Sequence, residues 1–178
     1  IVSNMDTTGT FEMYNVLSKH KVITVFHKHY NLEDYPDNLD PNYYSLSTGI
    51  SEQDFVKTES LISRLKPHFL TIDIANGYCS KFVDFCKKVR EKYPNLTIIA
   101  GNVVTGDMVQ ELLLSAKVDI VKCGIGSGSV CSTRLKTGVG VPQLSVCINC
   151  GEVANGLNGH IISDGGCTLP GDVAKAFG

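Results

Sequence analysis

The sequence predicts an α/β fold, a TIM-type (β/α)8 barrel truncated to about seven strand–helix units. Three observations predict it. Short β-branched or apolar runs alternate with amphipathic helical stretches along the chain, the order that yields parallel strands and right-handed crossovers. Several strand runs are apolar on consecutive positions, as in strands covered on both faces. Chemistry-bearing residues also follow nearly every strand: Asn4-Met5-Asp6, His27-Lys28, Asp73, Asn102, Cys131 and Asp164. A closed barrel gathers such groups at one C-terminal mouth, whereas an open doubly wound sheet, the alternative, spreads them along an edge.

Taken in order, Ile1-Val2 starts inside a strand-like run and reads as a piece of something longer. Asp6 to Gly9 forms a turn, and Thr10 caps a helix whose Phe11, Tyr14, Val16 and Leu17 approximate one face. Val22 to Phe26 is a buried strand, followed directly by the basic cluster His27-Lys28-His29. Asn31 to Asn42, with two prolines and four acidic residues, favours a loop with at most a short helix. Tyr43 to Leu46 is a weak strand ended by Ser47-Thr48-Gly49. Ser51 caps a helix that turns Phe55, Leu61, Ile62 and Leu65 inward.

His68 to Ile74 is a strand with Asp73 at its polar end, and Ser80 to Tyr93 is a helix closed by Pro94-Asn95. Leu96 to Ala100 is a strand ended by Gly101-Asn102. Thr105 to Ser115 is a helix, and Val118 to Cys123 is the strand that delivers a glycine loop. Lys136 to Pro142 is a flexible stretch able to cover that loop. Gln143 to Ala154 is a helix, His160 to Ser163 a strand, Asp164-Gly165-Gly166 its polar end, and Pro170 to Phe177 a helix before Gly178. A barrel of this kind usually needs about 250 residues. An unclosed one exposes two strand edges, so the segment is expected to need further residues or partner chains to fold well.

A length of 178 residues, 43% hydrophobic and 19% charged, fits one domain with a real core. The formal charge of -2, without a basic run, leaves no electrostatic footprint for nucleic acid or an anionic membrane. No apolar run approaches the roughly 18 residues of a membrane span, and no signal-like N-terminus is present. The expected setting is soluble and cytoplasmic. The 7 cysteines are odd in number and lack a compact repeated spacing, which favours a reduced compartment over a disulfide scaffold. Cys147-Ile-Asn-Cys150 sits in a helical segment without a second C-x-x-C, so helix packing is preferred over a metal or redox role.

The stretch Gly124-Ile-Gly-Ser-Gly-Ser-Val-Cys-Ser-Thr-Arg134 carries the chemistry. Glycines at alternate positions let backbone amides and carbonyls approach an ion or phosphate closely. The loop then presents Cys131, a nucleophile once deprotonated, with the Thr133 hydroxyl and the Arg134 charge within a turn of it.

That loop resembles the catalytic loop of the IMP dehydrogenase/GMP reductase family. Matching strings run from Asn4-Met5-Asp6-Thr7-Thr8-Gly9-Thr10-Phe11-Glu12-Met13 through His27-Lys28-His29-Tyr30, Asp73-Ile74-Ala75-Asn76-Gly77-Tyr78 and Gly101-Asn102-Val103-Val104-Thr105-Gly106 to Ile162-Ser163-Asp164-Gly165-Gly166-Cys167. The string at Asp73 and the lack of an inserted regulatory domain favour the GMP reductase branch. The resemblance implies conversion of GMP and NADPH to IMP, ammonia and NADP⁺. In it Cys131 attacks purine C2 and Thr133 moves the proton for ammonia.

The resemblance also implies cofactor contacts at Lys28, Asp73, Ile74, Ala75, Ile125 and Gly126. Nucleotide contacts fall at Ser129, Asp164, Gly165 and Gly166, and potassium (K+) on carbonyls of Gly126, Gly128, Cys131 and Arg134. A homotetramer is implied as well. Residues 1–178 would then be an incomplete catalytic barrel, with an N-terminal lead, the last strand–helix unit and a mobile flap lying outside them, and the segment alone is expected to turn over little. Ser127 stands where the family usually has proline, which predicts a less rigid loop; Ser132 replaces a threonine. Ser115-Ala116-Lys117-Val118-Asp119 is one residue longer than the family pattern. Two alternatives stay open: an IMP dehydrogenase, and a non-catalytic truncated barrel that only binds nucleotide.

Overall fold

The computed structural model describes residues 1–178. They form two compact units, Ile1–Asp73 with Tyr93–Ile98, and Ile74–Lys92 with Ile99–Gly178. Each has its own core, the first mixing aromatic with aliphatic side chains and the second largely aliphatic.

In the first unit β1 (Thr24–Val25), β2 (Tyr44–Thr48) and β3 (Phe69–Asp73) run parallel in chain order, with Thr24 opposite Tyr44 and Ser45 opposite Phe69. The strand expected at Ile1-Val2 is reduced to one parallel bridge, Val2 to Thr24. The ladder stops because the chain turns at Met5, whose carbonyl accepts from the amides of Thr8 and Gly9.

The weak strand expected at Tyr43 to Leu46 is instead buried along all of β2. Its polar side chains are satisfied in place: Ser45 Oγ meets Thr71 Oγ1 at 2.9 Å, Ser47 Oγ donates to the Phe26 carbonyl at 2.5 Å, and Thr58 Oγ1 donates to Thr48 Oγ1 at 2.8 Å. Burial without those bonds would cost on the order of 1–3 kcal/mol per group.

Helix α1 (Phe11–Leu17) begins at Thr10, whose hydroxyl accepts from the Met13 amide. Of its expected apolar face only Tyr14 is buried, and Val16 is 57% exposed. The rest of the apolar contact comes from rings. Phe11 stacks on Tyr30 at 4.1 Å, and Phe26 stacks on Tyr44 at 5.5 Å. Helix α2 (Glu52–Leu65) starts on a reciprocal Ser51–Asp54 capping box and buries Phe55, Thr58 and Leu61. Arg64 pins the 32–37 loop through the carbonyls of Leu32 and Tyr35 and the Asp37 carboxylate.

The second unit holds α3 (Ser80–Lys92), most of β4 (Thr97–Val103), α4 (Gly106–Leu114), β5 (Ile120–Cys123), α5 (Thr133–Thr137), α6 (Gln143–Gly156), β6 (His160–Ser163) and α7 (Pro170–Phe177). Strands β4, β5 and β6 are parallel and neighbours in that order. Fully buried Ile99, Val103, Val121, Phe82, Val109 and Leu112 form the centre of its core; each is worth about 1.5–3 kcal/mol of burial.

The β4–β5 register slips between Gly101 and Val103, which pair with Lys122 and Cys123, leaving Asn102 as the extra residue of a bulge. In the 115–119 connection Lys117 has a left-handed backbone (φ 54°). Its carbonyl accepts from Arg90 Nε at 2.8 Å, while Arg90 also pairs with Asp119. Cys147 and Cys150 are buried on α6, where Cys147 Sγ donates to Ser163 Oγ at 3.2 Å. No helix is long and apolar enough to cross a membrane.

Candidate active site

β5 ends at Cys123, and the glycine loop leaves it through Gly124 and Gly126. Gly126 has φ +74°, and a Cβ there would stand 2.7 Å from Arg134 Cγ and 3.1 Å from the Val139 carbonyl. Only glycine closes the loop this tightly. The loop continues into α5, a single short turn within what sequence reasoning split between loop and flexible cover. Gly128 O accepts from the Cys131 amide at 3.1 Å, and Arg134 O from the Gly138 amide at 3.0 Å.

Cys131 is half-buried, with Sγ 3.3 Å from Thr133 Oγ1. Its thiol is held below the ordinary cysteine range, first by the Thr133 hydroxyl and then by the Thr133 amide; partial desolvation opposes this, and the Arg134 charge and the Gly126 amide add to it. Two core thiols, Cys86 and Cys123, behave oppositely. Burial pushes Cys86 up to about 12, and Cys123 is pushed up by its contact with Cys150 and by burial. Among these three, Cys131 is the thiol prepared to react as an anion.

Asp164 follows β6. Its amide donates to the Cys123 carbonyl at 2.9 Å, and its carbonyl accepts from Ser127 Oγ at 2.6 Å. Its Oδ2 accepts from Asn102 Nδ2 at 2.7 Å and Lys122 Nζ at 3.1 Å. Asn102 Nδ2 also donates to the Gly124 carbonyl at 2.6 Å, while Asn102 Oδ1 is buried without a partner. Ser127 thus ties the thiol loop to the Asp164 turn. Gly165 packs against that loop, and a Cβ on it would come within 3.0 Å of Ser127 Oγ and 3.3 Å of the Gly128 amide. Gln143 Nε2 braces the junction from α6 by donating to the Cys123 carbonyl at 2.8 Å and Ser163 Oγ at 3.0 Å. Beside it a cavity of about 140 Å³ is lined by Gln143, Cys147, Ser163, Gly166 and Lys175.

Of the residues expected at the site, this unit brings together Cys131, Thr133, Arg134, Gly126, Gly128, Asp164, Gly165 and Gly166 through these loops. Ser129 lies exposed on the loop, Ile125 is buried, and Ala75 is exposed. Ile74 spends its amide and carbonyl on the Gly101 carbonyl and the Asn102 amide, both at 2.9 Å. Lys28 and Asp73 belong to the first unit. Asp73 Oδ2 accepts from Asn4 Nδ2 at 2.7 Å, and Lys28 is exposed, with its carbonyl accepting from Lys57 Nζ at 2.8 Å. Sequence reasoning missed Lys122 and Gln143. The signal for Lys122 was a lone ammonium inside the buried run Ile120-Val-Lys-Cys123.

Parallel strands that deliver a low-pKa cysteine on a glycine loop and a multiply anchored carboxylate define a barrel-type domain equipped for nucleophilic chemistry on a bound ligand. The family model described as IMP dehydrogenase / GMP reductase domain matches residues 1–178, and the chain belongs to that family. It is 53% identical over 187 residues to a GMP reductase of Caenorhabditis elegans and 54% identical over 186 residues to GMP reductase 1 of Homo sapiens. Those alignments cover 100% of this chain and 51% and 53% of the two relatives, so the chain spans about half the length of the curated relatives it matches. A crystal structure of inosine 5' monophosphate dehydrogenase from Legionella pneumophila superposes with a TM-score of 0.84 at 30% identity, over 98% of this chain and 53% of that one. The expected fold class, a truncated TIM-type barrel, is thereby shown.

Proposed function

We propose that the protein containing this chain converts GMP, NADPH and two protons to IMP, ammonium and NADP⁺. The observation that carries the reading is the acidified Cys131 thiol, 3.3 Å from the Thr133 hydroxyl, on a loop tied to the Asp164–Gly166 turn. Cys131 as thiolate adds to purine C2, forming a C–S bond. The exocyclic amine leaves as ammonia, with Thr133 Oγ1 passing it a proton, and a thioimidate on Cys131 remains. NADPH, when bound, supplies the hydride that replaces sulfur at C2, and Cys131 returns as thiolate.

Asp164 accepts from ribose hydroxyls, while Gly165 and Gly166 offer amides to the phosphate beside Ser129. By the family resemblance the cofactor contacts are Lys28, an exposed ammonium suited to its phosphate or amide oxygen, and Asp73, Ile74, Ala75, Ile125 and Gly126. Ile74, whose backbone groups are already spent, contributes its side chain.

By the family resemblance potassium would be held by the carbonyls of Gly126, Gly128, Cys131 and Arg134, all oxygen donors of the kind a hard monovalent cation takes. Those of Gly128 and Arg134 each accept one amide and keep a second lone pair. The resemblance adds a cytoplasmic homotetramer, which light scattering checks.

The test is GMP-dependent NADPH oxidation with ammonia release by the full-length protein, lost in Cys131→Ala. Turnover of IMP with NAD⁺ in place of that reaction would make the protein a dehydrogenase. Failure of GMP to protect Cys131 from alkylation would favour a barrel without chemistry.

A further inference from the structure

Lys122 lies on β5 two residues before Gly124, and its side chain is 12% exposed. An ammonium this enclosed is costly unless paired. One partner, the carboxylate of Asp164, is more open at 30%. Both side-chain donors that reach this carboxylate, Lys122 Nζ and Asn102 Nδ2, fall on the same oxygen, Oδ2. The backbone of Asp164 is fixed separately, by the Cys123 carbonyl and by Ser127 Oγ. A carboxylate clamped by one oxygen and by its main chain cannot swing, so its other oxygen is an acceptor of set direction.

Asn102 adds a second link. It is the extra residue of the β4 bulge, 9% exposed, and its amide joins Asp164 to the carbonyl of Gly124, where the loop that carries Cys131 begins.

We propose, building on the nucleotide site above, that Lys122 and Asn102 are positioning residues: they orient Asp164 to accept from the vicinal ribose hydroxyls of a purine nucleotide and register that carboxylate with the thiol loop. Neither touches the nucleotide for this purpose. Lys122 supplies the charge that holds Oδ2, and Asn102 transmits the position of Oδ2 to Gly124.

The test compares binding of GMP and of 2′,3′-dideoxy-GMP to the full-length protein by calorimetry. Lys122→Met is expected to weaken GMP about tenfold, as loss of a charge-assisted bond does, and to leave the dideoxy analogue unchanged. Lys122→Arg is expected to bind GMP within about threefold of the parent. In turnover, KM for GMP rises in Lys122→Met while kcat falls less.

Equal weakening of both nucleotides, or of neither, would overturn the assignment and leave Lys122 a purely structural pair. Should Lys122→Met fail to fold, Lys122→Arg and Asn102→Ser carry the comparison, the latter expected to lose affinity for GMP alone. Hydroxyl-dependent binding without NADPH oxidation would sink the proposed reaction and leave the positioning role standing. Absence of GMP binding by the parent protein would sink both.

Discussion

The same substitution, glycine to alanine, should move stability in opposite directions at Gly101 and Gly156. A Cβ at Gly101 would lie 2.7 Å from Lys122 Cβ and 3.0 Å from Lys122 C, and it would also meet the Lys122 carbonyl oxygen. None of these atoms can rotate away, so β4 and β5 must separate where Asn102 and Lys122 hold Asp164. Overpacking of this kind costs about 1–3 kcal/mol, and the entropy removed from the unfolded chain returns about 0.4–1 kcal/mol. The net is a loss of about 1–2 kcal/mol, or roughly 2–8 °C in melting temperature for a chain of this size.

Gly156 closes α6, and a Cβ added to it would meet no atom within 4 Å. There alanine gains about 0.5–1 kcal/mol from helix propensity. Thermal and urea unfolding of the two variants beside the parent read the difference directly. A Gly101→Ala protein as stable as Gly156→Ala would refute the account of the β4–β5 approach.

Two further outcomes follow from the site and its scaffold. Thr133→Val removes the leading cause of the depressed Cys131 pKa, so the inflection in its alkylation rate against pH moves up and the rate at neutral pH falls. In the native parent Cys86, pushed up to about 12 by burial, stays unlabelled, and an unmoved Cys131 profile would show that Thr133 does not govern the thiol. Ser51→Ala removes the two hydroxyl bonds of the α2 capping box and keeps the bond from the residue-51 amide to Asp54, at a cost of about 1 kcal/mol. Partial burial alone would raise the Asp54 pKa, but its bonds to Ser51 outweigh that and lower it. A carboxylate depressed on folding stabilises the protein above its unfolded pKa, and that stability is lost as pH falls through the folded one. The gap between Ser51→Ala and the parent, followed by urea midpoint, should therefore be widest near neutrality and shrink in acid.

Several elements were legible in the chain because their signals are local. The Ser51–Asp54 box, the apolar run at Val22 to Phe26 and the alternation of strands and helices each depend on residues a few positions apart. The candidate group Cys131, Thr133 and Arg134 could be read for the same reason, and the family strings added Asp164 to that reading.

What the amino-acid order could not express is how strands meet. β2 looked weak because Ser45, Ser47 and Thr48 are polar, and their partners, Thr71, the Phe26 carbonyl and Thr58, lie 10 to 26 residues away. The bulge at Asn102 exists only as a slip between β4 and β5. The single carboxylate oxygen shared by Asn102 and Lys122 joins three strands' ends across gaps of 62 and 42 residues. Sequence alone therefore determined the candidate nucleophile and the order of the elements, since both are written in neighbouring residues. Only the tertiary structure decided which groups hold Asp164 and tie it to the thiol loop, because hydrogen bonds act over about 3 Å of space regardless of separation along the chain.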